Sequence, residues 1–570
     1  MADHTADSII QRQESLAAER GLLEAQWQEI AELVRPLRAG FTSREGAWNA
    51  TREGNATAGD GAWNTAARLS GEKRGQQMFD STPGVAADSL ASGLWGMITN
   101  SANNWFGLSH PIAELNREAE VKGWLEEAAN RMRGAFAANG QRFYARAMDL
   151  YLDQVTFGTG IFYVDEMPDG SGFYFTCRHL AECTISQNAH EQVDTLYRRF
   201  LFTARQAYGL WGDRAGENIL RAHEKEPERR FAFIHAVYPR EDYDPKLTLE
   251  PRGKAFRSCY VNVETRRVVN DGGYYEFPYQ VARWSTASRG TYGDSPAMAA
   301  LPDIKMLNAM SKTTIVAAQK VADPPILTVD ERGLRGARTM PGGIIYAGLD
   351  KLGNPRYRPL DTHANIGLGL EMEQQRRAAI KEAFYGSLLL MVAQPNMTAA
   401  EWLGRQEEKL RLMGPHLGRI QSEFLDPLID RVFALMYRAG KFPPPPEILR
   451  RYPEIKVDYV SPLARAQKAS EGAAIVRAFE ALSTIGAVNP DVFDNFDGDA
   501  VAQLLADAYG LPPSAIRDPR AVAQLRQQRQ QAQQMAALTQ AAPGLGRAFK
   551  DVSQAGAPVA AGAASAGGRA

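Results

Sequence analysis

Residues 387–401, SLLLMVAQPNMTAAE, interrupt two long helical patterns. The helix before them is predicted over residues 365–385, and the helix after them over residues 398–437. The second helix has a clear start, because Thr398 and Glu401 form a T-x-x-E capping box in which each side chain can satisfy a free amide of the first turn. The sequence therefore predicts a helix, a loop and a second helix in this part of the chain.

The loop, Ser387–Met397, is apolar where a surface loop is normally polar. It begins with five consecutive apolar residues, Leu388 to Val392, which would normally avoid water. It ends at Pro395 and Asn396, a pair of residues that normally interrupts a helix. The residues alone leave two interpretations open: a connector buried in the core, or a loop that several copies of the chain shield from water.

An apolar stripe continues along the second helix. A large apolar residue recurs every seven positions, with two more beside the stripe, which predicts one buried helix face. The positions are Leu403, Leu410, Leu417 and Phe424, with Met413 and Ile420. Pro415 and Pro427 are expected to bend this helix without ending it.

The composition bounds the class of protein. A chain of 570 residues has room for about two to four domains. Its net charge of −1 lacks the basic excess of a dedicated nucleic-acid-binding protein. Three cysteines fit no metal-ligand spacing and predict a reducing compartment without disulfides. The polar N-terminus predicts no signal peptide, and no apolar run approaches the ~20 residues that span a bilayer.

Sequence signatures of catalysis and metal binding are missing. The chain contains no G-x-x-x-x-G-K-[ST] phosphate loop and no G-x-S-x-G nucleophile turn. The pair His190-Glu191 lacks the second histidine of a zinc helix, and the eight histidines have no metal-ligand spacing. We therefore expect neither an enzymatic activity nor a cofactor.

The pattern predicts helices first, then strands, then helices again. The first helices are expected over residues 7–37, 84–99, 115–138 and 143–156, with a long loop over residues 40–64. Short strands are expected over residues 160–164, 173–175, 182–186 and 195–202. A helical stretch over residues 203–225 then leads into a β-meander over residues 229–286, which we interpret as a compact β insertion.

The β insertion is followed by a helix of about 25 residues. Ser295 and Pro296 form its cap and first turn, and Asp323-Pro324-Pro325 follow its end. Two further strands are predicted over residues 326–329 and 343–346. Beyond the linker Pro443–Pro446 lie a small helical domain over residues 461–510, a Gln/Arg-rich helix over residues 519–539 and a low-complexity tail.

The stretch Gly290–Asn308, GTYGDSPAMAALPDIKMLN, resembles a known family. It is closely similar to a Y-G-x-[GS]-P…L-P-D-I-K-x-L-N run in the portal, or head-to-tail connector, proteins of short-tailed, T7-like phages. The following A-D-P-P-I-L, the P-G-G-I-I-Y strand, the T-A-A-E at Thr398 and the S-E-F-L-D-P-L-I-D-R run agree with it. The order of elements is similar over most of the chain, and the tail past Arg520 is not diagnostic.

This resemblance implies an α+β, mainly helical portal fold with wing, stem, clip and crown regions, in which the small β insertion is the clip. The implied regions follow one another in chain order. They are the N-terminal part of the wing (1–202), the first stem helix (203–228), the clip (229–290), the second stem helix (291–321), the C-terminal part of the wing (322–440), the crown (441–518), and a C-terminal helix with a flexible tail (519–570).

The resemblance also implies two groups of site residues. The apolar loop, residues 387–397, would be a tunnel loop facing a channel, with the positions Leu388, Leu389, Leu390, Met391, Val392, Gln394 and Asn396. Lys305 and Lys312 lie seven residues apart on one helix face, with Lys320 nearby. If that face lines the channel, these lysines would contact DNA phosphate loosely. A solvated or salt-bridged helix face explains them equally well.

The function implied by the resemblance is a ring, usually of twelve copies, that forms a passive channel for genome packaging and ejection at one capsid vertex. The implied partners are further copies of the chain and double-stranded DNA bound non-specifically. The implied protein partners are the terminase large subunit, tail adaptor and tail tube proteins, major capsid and scaffolding proteins, and internal core or ejection proteins. No membrane insertion is implied. The implied location is the virion, after assembly in the host cytoplasm. Two alternatives stay open: a packaging enzyme, such as a terminase or nuclease, and another assembly protein, such as a tail adaptor.

Overall fold

The computed structural model describes most of the chain and divides it into two compact units. One unit comprises Met1–Ala113 and Trp124–Ala464, and the other comprises Glu114–Gly123 and Arg465–Ala570. The described residues are 2–41, 75, 77–102, 104–112, 114–138, 142–167, 170, 172–247, 250–287, 290–328, 349–355, 357–360, 366–387, 412–451, 456–459, 472, 474–482, 496–508, 517 and 522–534.

Helices and small antiparallel sheets alternate along the chain, so the α+β class is confirmed. The helices are α1 (Ala2–Glu19), α2 (Gly21–Val34), α3 (Thr82–Ile98), α4 (Ala119–Ala137), α5 (Phe143–Phe157), α6 (Ala204–Trp211), α7 (Glu217–Lys225), α8 (Pro296–Ala322), α9 (Ile366–Ala383), α10 (Asp426–Arg438), α11 (Glu447–Arg451) and α12 (Gly498–Ala508). Residues 412–420, 474–482 and 522–534 are also helical. The strands are β1 (Phe106–Ser109), β2 (Thr159–Glu166), β3 (Phe173–Arg178), β4 (Cys183–Gln187), β5 (Val193–Thr203), β6 (Arg230–Pro239), β7 (Phe256–Asn262), β8 (Arg267–Tyr274), β9 (Tyr279–Arg283), β10 (Ile326–Thr328), β11 (Tyr357–Pro359) and β12 (Lys456–Tyr459).

A five-stranded antiparallel sheet, in the order β4-β5-β6-β7-β8, is covered by helices on both faces. Side chains alternate along a strand, so the central strand β6 serves both faces. Ile234 and Ala236 pack with Ile9 and Ile10 of α1 on one face. Phe233 packs with α6 and α7 on the other face. The sheet is thereby buried between α1 and the α6–α7 pair.

A smaller sheet, in the order β3-β2-β9, contacts the large sheet through polar aromatic side chains. His235 of β6 bonds the hydroxyl of Tyr279 of β9 through Nδ1 at 2.7 Å and the hydroxyl of Ser258 through Nε2 at 3.0 Å. Its ring also stacks on Tyr260, with the centroids 4.1 Å apart. Burial, with the nearby guanidinium groups of Arg198 and Arg178, holds the pKa of His235 well below its usual value. His235 is therefore a neutral hydrogen-bonding link between the two sheets.

The main hydrophobic core lies in the larger unit, where α2, α3, α5, β2 and the residue 412–438 helix meet. Trp27, Phe143, Phe162 and Phe424 are all fully buried there. The predicted stripe of the long helix is confirmed in its described part, since Met413 and Ile420 are also fully buried and Leu417 is partly buried against the core. This core fixes the elements that flank residues 388–411.

The prediction of one continuous helix over residues 203–228 is wrong. Thr203 and Gln206 form a capping box that starts α6, and α6 ends at Trp211. Gly212 and Gly216 then adopt positive φ angles of 56° and 105°, a backbone conformation that interrupts a helix and favours glycine. The stretch therefore forms two short helices, α6 and α7, that pack on the large sheet.

Residues 229–290 do not form a separate β insertion. Strand β6 pairs with β5 from Leu196–Val237 to Thr203–Arg230, so the sheet is continuous across the predicted boundary. Strand β9 pairs instead with β2, from Thr159–Arg283 to Tyr163–Tyr279. The predicted meander itself, β6-β7-β8, is confirmed. Backbone pairing with strands that precede residue 203 is what joins this meander to the rest of the unit.

Three other local predictions are confirmed by the structure. The β2–β3 hairpin pairs as expected. Helix α8 begins after Ser295 and ends before Asp323. Helix α9 occupies residues 366–383 of the predicted 365–385. Three predictions lie wholly outside the described residues: the strand at residues 343–346, the capping box of Thr398 and Glu401, and the C-terminal tail. Of the predicted loop over residues 40–64, only residues 40 and 41 are described.

Candidate functional site

The conspicuous motif Gly290–Asn308 is built around a contact between two glycines. The backbone N–H of Gly293 donates to the Thr159 hydroxyl at 2.9 Å. A Cβ atom added to Gly158 would lie 2.0 Å from the carbonyl oxygen of Gly293, and Gly158 also has a φ of +78°. Two backbones can approach this closely only without side chains between them. The motif therefore docks directly onto the turn between α5 and β2.

Ser295 of the same motif starts α8 and ties it to α5. Its hydroxyl accepts a bond from the backbone N–H of Met298 at 3.0 Å, which caps the helix. The same hydroxyl donates to the carbonyl oxygen of Thr156 at 2.8 Å. Pro296 occupies the first turn, where its missing N–H leaves no bond unmade. The local sequence thus sets both the start and the position of α8.

Arg283 and Glu423 form a buried ion pair next to this motif. Nη2 of Arg283 lies 2.7 Å from Oε1 of Glu423, and Oε2 of Glu423 accepts from the Arg283 backbone N–H at 2.8 Å. Arg283 also donates to the side chain of Gln187 at 3.1 Å and to the carbonyl oxygen of Glu191 at 3.0 Å. Arg419 donates to the same Glu423 carboxylate at 3.2 Å. The pair fastens residues 419–423 to the end of β9.

A second contact joins both flanks of the predicted loop. The ring of His416 stacks on Trp284, with the centroids 4.1 Å apart. Nδ1 of His416 lies 3.1 Å from the carbonyl oxygen of Trp284, and Nε2 lies 3.2 Å from the hydroxyl of Tyr385. A carbonyl oxygen only accepts, so Nδ1 donates to Trp284, and in the neutral ring Nε2 then accepts from the Tyr385 hydroxyl. Residues on either side of the segment 388–411 therefore share one anchor at Trp284.

Tyr385, whose hydroxyl bonds His416, has an unusual backbone conformation. Its φ is +58°, a region that a residue with a Cβ atom enters at a cost of order 1 kcal/mol. It lies two residues beyond the end of α9, and the intervening Phe384 is fully buried. The hydrogen bond to His416 and the buried neighbour hold this turn in place.

The long helix widens before its second proline. Residues Gln421–Leu425 form a turn of π-helix, and Pro427 follows within α10. A proline lacks the N–H of an ordinary helical bond and clashes with the carbonyl of residue i−4, here Glu423. The wider turn relieves that clash and keeps the helix continuous. It also contains Glu423, the partner of Arg283.

Arg431 fixes α10 on the small sheet. Its Nε donates to the carbonyl oxygen of Val164 at 2.9 Å, and Nη1 donates to the carbonyl oxygen of Glu276 at 3.1 Å. Its guanidinium lies over the ring of Tyr274 at 5.1 Å and is buried. Glu276 in turn holds Arg438 at 2.8 Å. Together with the Arg283 and His416 contacts, these bonds form a rigid support for the helix that follows the predicted loop.

The three predicted lysines have different surroundings. Nζ of Lys305 lies 2.5 Å from Oε2 of Glu29 in α2, so this lysine is ion-paired within the chain. Nζ of Lys312 lies 5.5 Å from the centroid of the Phe79 ring. Lys320 is exposed in the last turn of α8. Among the described residues, Lys305 and Lys312 therefore have different neighbours.

The predicted tunnel-loop residues lie outside the described residues. Leu388, Leu389, Leu390, Met391, Val392, Gln394 and Asn396 all belong to the segment 388–411. What is described is the framework on both sides of this segment: Tyr385 before it, and His416 and Glu423 after it. Both sides are fastened to residues 283–284, directly upstream of the motif at Gly290.

No cluster of metal-ligating side chains occurs among the described residues. Within the same residues, no helix is long and apolar enough to cross a membrane. The three cysteines are unpaired thiols, and two of them, Cys183 and Cys259, are buried.

Sequence reasoning did not identify the buried charged side chains that build this framework. Arg283 sits in an ordinary strand pattern, and Glu423 and Arg431 sit among many exposed charges of a helix. The only sequence signal was the position of Glu423 and Arg431 beside the apolar stripe at Ile420 and Phe424, which predicts a boundary of the buried face. Their partners are distant in sequence and could not be assigned.

Sequence comparisons with known proteins identify one family. The family model for the bacteriophage head to tail connecting protein matches residues 6–516. A probable portal protein of Bordetella phage BPP-1 is 30% identical over 550 residues, covering 94% of both chains. The portal protein of Salmonella phage epsilon15 is 26% identical over 563 residues, covering 95% of both chains. Among solved structures, a chain of the virion of a native gene transfer agent particle matches with a TM-score of 0.34 and 11% identity, covering 76% of this chain and 90% of that one. With a family model that matches nearly its whole length, the chain belongs to the bacteriophage head-to-tail connecting proteins.

Proposed function

We propose that this chain is a portal protein: copies of it form a closed ring at one vertex of a phage capsid, and double-stranded DNA passes through the ring. The observation that carries the proposal is the match of the connector family over residues 6–516, with relatives named as portal proteins over 94% and 95% of their length. The ring would be a passive channel without catalytic activity. It would belong to the virion after assembly in the host cytoplasm.

The partners of this proposal follow from the position of a connector between head and tail. They are further copies of the chain, major capsid and scaffolding proteins, the terminase large subunit during packaging, tail adaptor and tail tube proteins afterwards, and internal core or ejection proteins. The DNA contact would be non-specific and weak, because a tight grip would stop the DNA. The net charge of −1 is consistent with weak contact.

Helices α8 and α9 are better candidates for the paired stem helices than residues 203–228. They pack along each other, and Arg376 of α9 bonds Asp303 of α8 at 2.8 Å. The antiparallel strand pair β10–β11 lies in sequence between the end of α8 and the start of α9. We therefore assign the stem to α8 and α9 and the clip to residues 323–365. Helices α6 and α7 are packed on the large sheet instead.

The apolar segment at 387–397 keeps its assignment as the tunnel loop. Its support is the framework around it, because Tyr385 and His416 anchor both of its flanks on Trp284. Of the three lysines, Lys320 is the best candidate for loose phosphate contact. The charge of Lys305 is already matched by Glu29.

The ring is tested by electron microscopy of the purified full-length protein. A wide annulus with a central hole supports the proposal. A monomer or a filament would point to a different assembly protein, and ATP hydrolysis by the pure protein would point to a packaging enzyme.

The loop assignment is tested separately by deleting Leu388 to Met391. We expect rings to form normally while DNA packaging or retention is impaired. Loss of ring formation would show that the segment is part of the folded core. A matched deletion in the C-terminal tail, residues 561–564, controls for shortening the chain.

A further inference from the structure

The paired helices α8 and α9 leave the hydrophobic core partway along their length. The last buried residue of α8 is Ser311, and residues 312–322 are all at least partly exposed. Within residues 367–383 of α9, the first buried residue is Glu373. Each helix therefore has one part that is fixed in the core and one part that projects from it.

The two helices are joined to each other, so their projecting parts form one body. Nη1 of Arg376 in α9 bonds the carboxylate of Asp303 in α8 at 2.8 Å. Further along, a Cβ atom added to Gly369 would lie 3.1 Å from the hydroxyl oxygen of Thr314. Later residues of α8 thus meet earlier residues of α9, and the pair is antiparallel. A change in the direction of the pair would therefore occur where it leaves the core.

A short segment, residues 77–80, crosses the pair at this point, and we call it the strap. Asn308, the last residue of the family motif, bonds the strap to α8 within one turn of Ser311. Its Nδ2 donates to the carbonyl oxygen of Gln77 at 2.7 Å, and its Oδ1 accepts from the backbone N–H of Phe79 at 2.7 Å. One side chain thus bonds the strap backbone twice, as a neighbouring strand would.

The strap also bonds α9 within one turn of its first buried residue. Oδ2 of Asp80 accepts from Nε of Arg377 at 2.8 Å. The same guanidinium donates to the carboxylate of Glu373 at 2.9 Å. The side chains of Asp80 and Glu373 are 7% and 3% exposed. Arg377 therefore holds the strap and the buried carboxylate of α9 together.

The other end of the strap is fixed in the core. Oδ1 of Asp80 accepts from the backbone N–H of Thr82 at 2.8 Å, at the start of α3. Helix α3 is buried along one side, for example at Leu90. A Cβ atom added to Gly84 would lie 3.0 Å from the carbonyl oxygen of Val34, so α3 lies close against α2. The strap therefore connects a fixed helix to the point where two projecting helices leave the core.

The bonds between the strap and α8 are polar and open to solvent, unlike the contacts of the core. Both bonds of Asn308 lie at the surface. Phe79 is 38% exposed, and Nζ of Lys312 lies 5.5 Å from the centroid of its ring. Such bonds add little to the free energy of unfolding, because water replaces them at small cost. They still fix a direction, since each bond requires a particular geometry.

We infer that the strap sets the angle at which α8 and α9 leave the core, and that Asn308 is the positioning residue for this angle. Since α8 and α9 are assigned as the stem, the angle would set the width of the channel. That last step rests on the proposed function. The strap itself does not, because all of its contacts lie within one copy of the chain.

Hydrogen exchange of the full-length protein tests the strap. Asn308→Ala should make the amide of Phe79 exchange about tenfold faster, because this amide loses its acceptor. Exchange in β6 should be unchanged, and the midpoint of denaturant unfolding should shift little, since alanine also favours the helix. Thr313→Ala is the matched control. It removes an exposed bond within α8, to the carbonyl oxygen of Ala309, and should leave the Phe79 amide unchanged.

Electron microscopy of the rings tests the angle. In rings of Asn308→Ala, the density of the projecting parts of α8 and α9 should be shifted or spread relative to the large sheet. The channel width should then differ from that of unmodified and Thr313→Ala rings. Asn308→Asp keeps the acceptor for Phe79 but loses the donor to Gln77, so its rings should lie between those of Asn308→Ala and the unmodified protein.

The outcomes separate this inference from the proposed function. An unchanged Phe79 amide in Asn308→Ala would overturn the strap. Rings of Asn308→Ala with the helix positions and channel width of the unmodified protein would overturn its positioning role. Faster exchange in β6 as well would show that Asn308 supports the whole core, which also overturns the inference. In all three cases the portal proposal stands.

If the unmodified protein forms no ring, the portal proposal fails and the channel-width step fails with it. The positioning role is then decided in single copies, by the distance between spin labels on Lys320→Cys in α8 and Glu217→Cys in α7. Asn308→Ala should shift or broaden this distance, and Thr313→Ala should not. An identical distance distribution in both variants would overturn the inference.

Discussion

The guanidinium of Arg283 lies 2.7 Å from the carboxylate of Glu423, although 140 residues separate the two in the chain. Both side chains are largely buried, at 6% and 16% exposure. The pair connects the end of β9, just before the family motif, to the turn of π-helix in the long helix. It therefore links the motif at Gly290 to the helix that follows the predicted tunnel loop.

Glu423→Gln should destabilise the protein strongly, because it leaves the buried Arg283 charge without its partner. Removing one member of a buried pair costs about 3 kcal/mol or more. Chemical unfolding at one fixed protein concentration measures the loss. Glu217→Gln is the control. Its bond to Arg221 is largely exposed to solvent, so this substitution should change the free energy of unfolding by less than about 1 kcal/mol. Equal losses in the two variants would contradict a buried role for Glu423.

Gly158→Ala should be among the most damaging single substitutions in the chain. The new Cβ would lie 2.0 Å from the Gly293 carbonyl oxygen, and the φ of +78° disfavours any side chain. We expect a loss of more than about 3 kcal/mol or failure to fold. Gly418→Ala is the control, because nothing lies within 4 Å of its Cβ and it sits in a helix. Gly418→Ala should stabilise the protein by about 0.5 kcal/mol. If it instead destabilised the protein as much as Gly158→Ala, the close approach of Gly158 to Gly293 would not be the reason for the loss.

Tyr385→Phe should loosen the end of α9 without unfolding the core. The variant removes the hydroxyl that donates to Nε2 of His416, and one such bond contributes about 1 kcal/mol. Hydrogen exchange of the amides at residues 383–387 should become faster, while exchange in β6 stays unchanged. In a double-mutant cycle with His416→Phe, the two losses should not add, because they remove the same bond. Tyr437→Phe, at an exposed tyrosine, is the control.

Stability should fall as the pH drops below about 6.5 because of His235. Its pKa is lowered in the folded protein by burial, so the unfolded chain binds a proton that the folded chain does not. The stability that depends on neutral His235 is complete above the unfolded pKa of about 6.5 and is lost at up to about 1.4 kcal/mol per pH unit below it. His179 is also buried with a lowered pKa and adds in the same direction.

Denaturant unfolding at pH 5.5 and 7.5 checks this sign. His235→Gln should lower stability at pH 7.5 but should also reduce the difference between the two pH values. An exposed histidine, His190, provides the control, and His190→Gln should leave the difference unchanged. An unchanged pH difference in His235→Gln would show that another group is responsible.

Features set within a few residues of the chain could be predicted from the sequence. Ser295 caps α8 by bonding an amide three residues later, and a turn such as that between β2 and β3 closes over a handful of residues. Such bonds depend on local spacing, which a sequence displays directly. The family motif at Gly290 was identified for the same reason, and it led to the correct family.

Features that depend on which distant segments meet could not be predicted. The residues of β6 form a strand in either arrangement, but only its pairing with β5 shows that residues 229–290 are not a separate β insertion. Arg283 and Glu423, or Gly158 and Gly293, gain their roles only after folding brings them together. The reason is physical: local hydrogen bonds are specified by neighbours along the chain, whereas strand partners and buried charges are selected by the burial of surface that exists only in the folded unit.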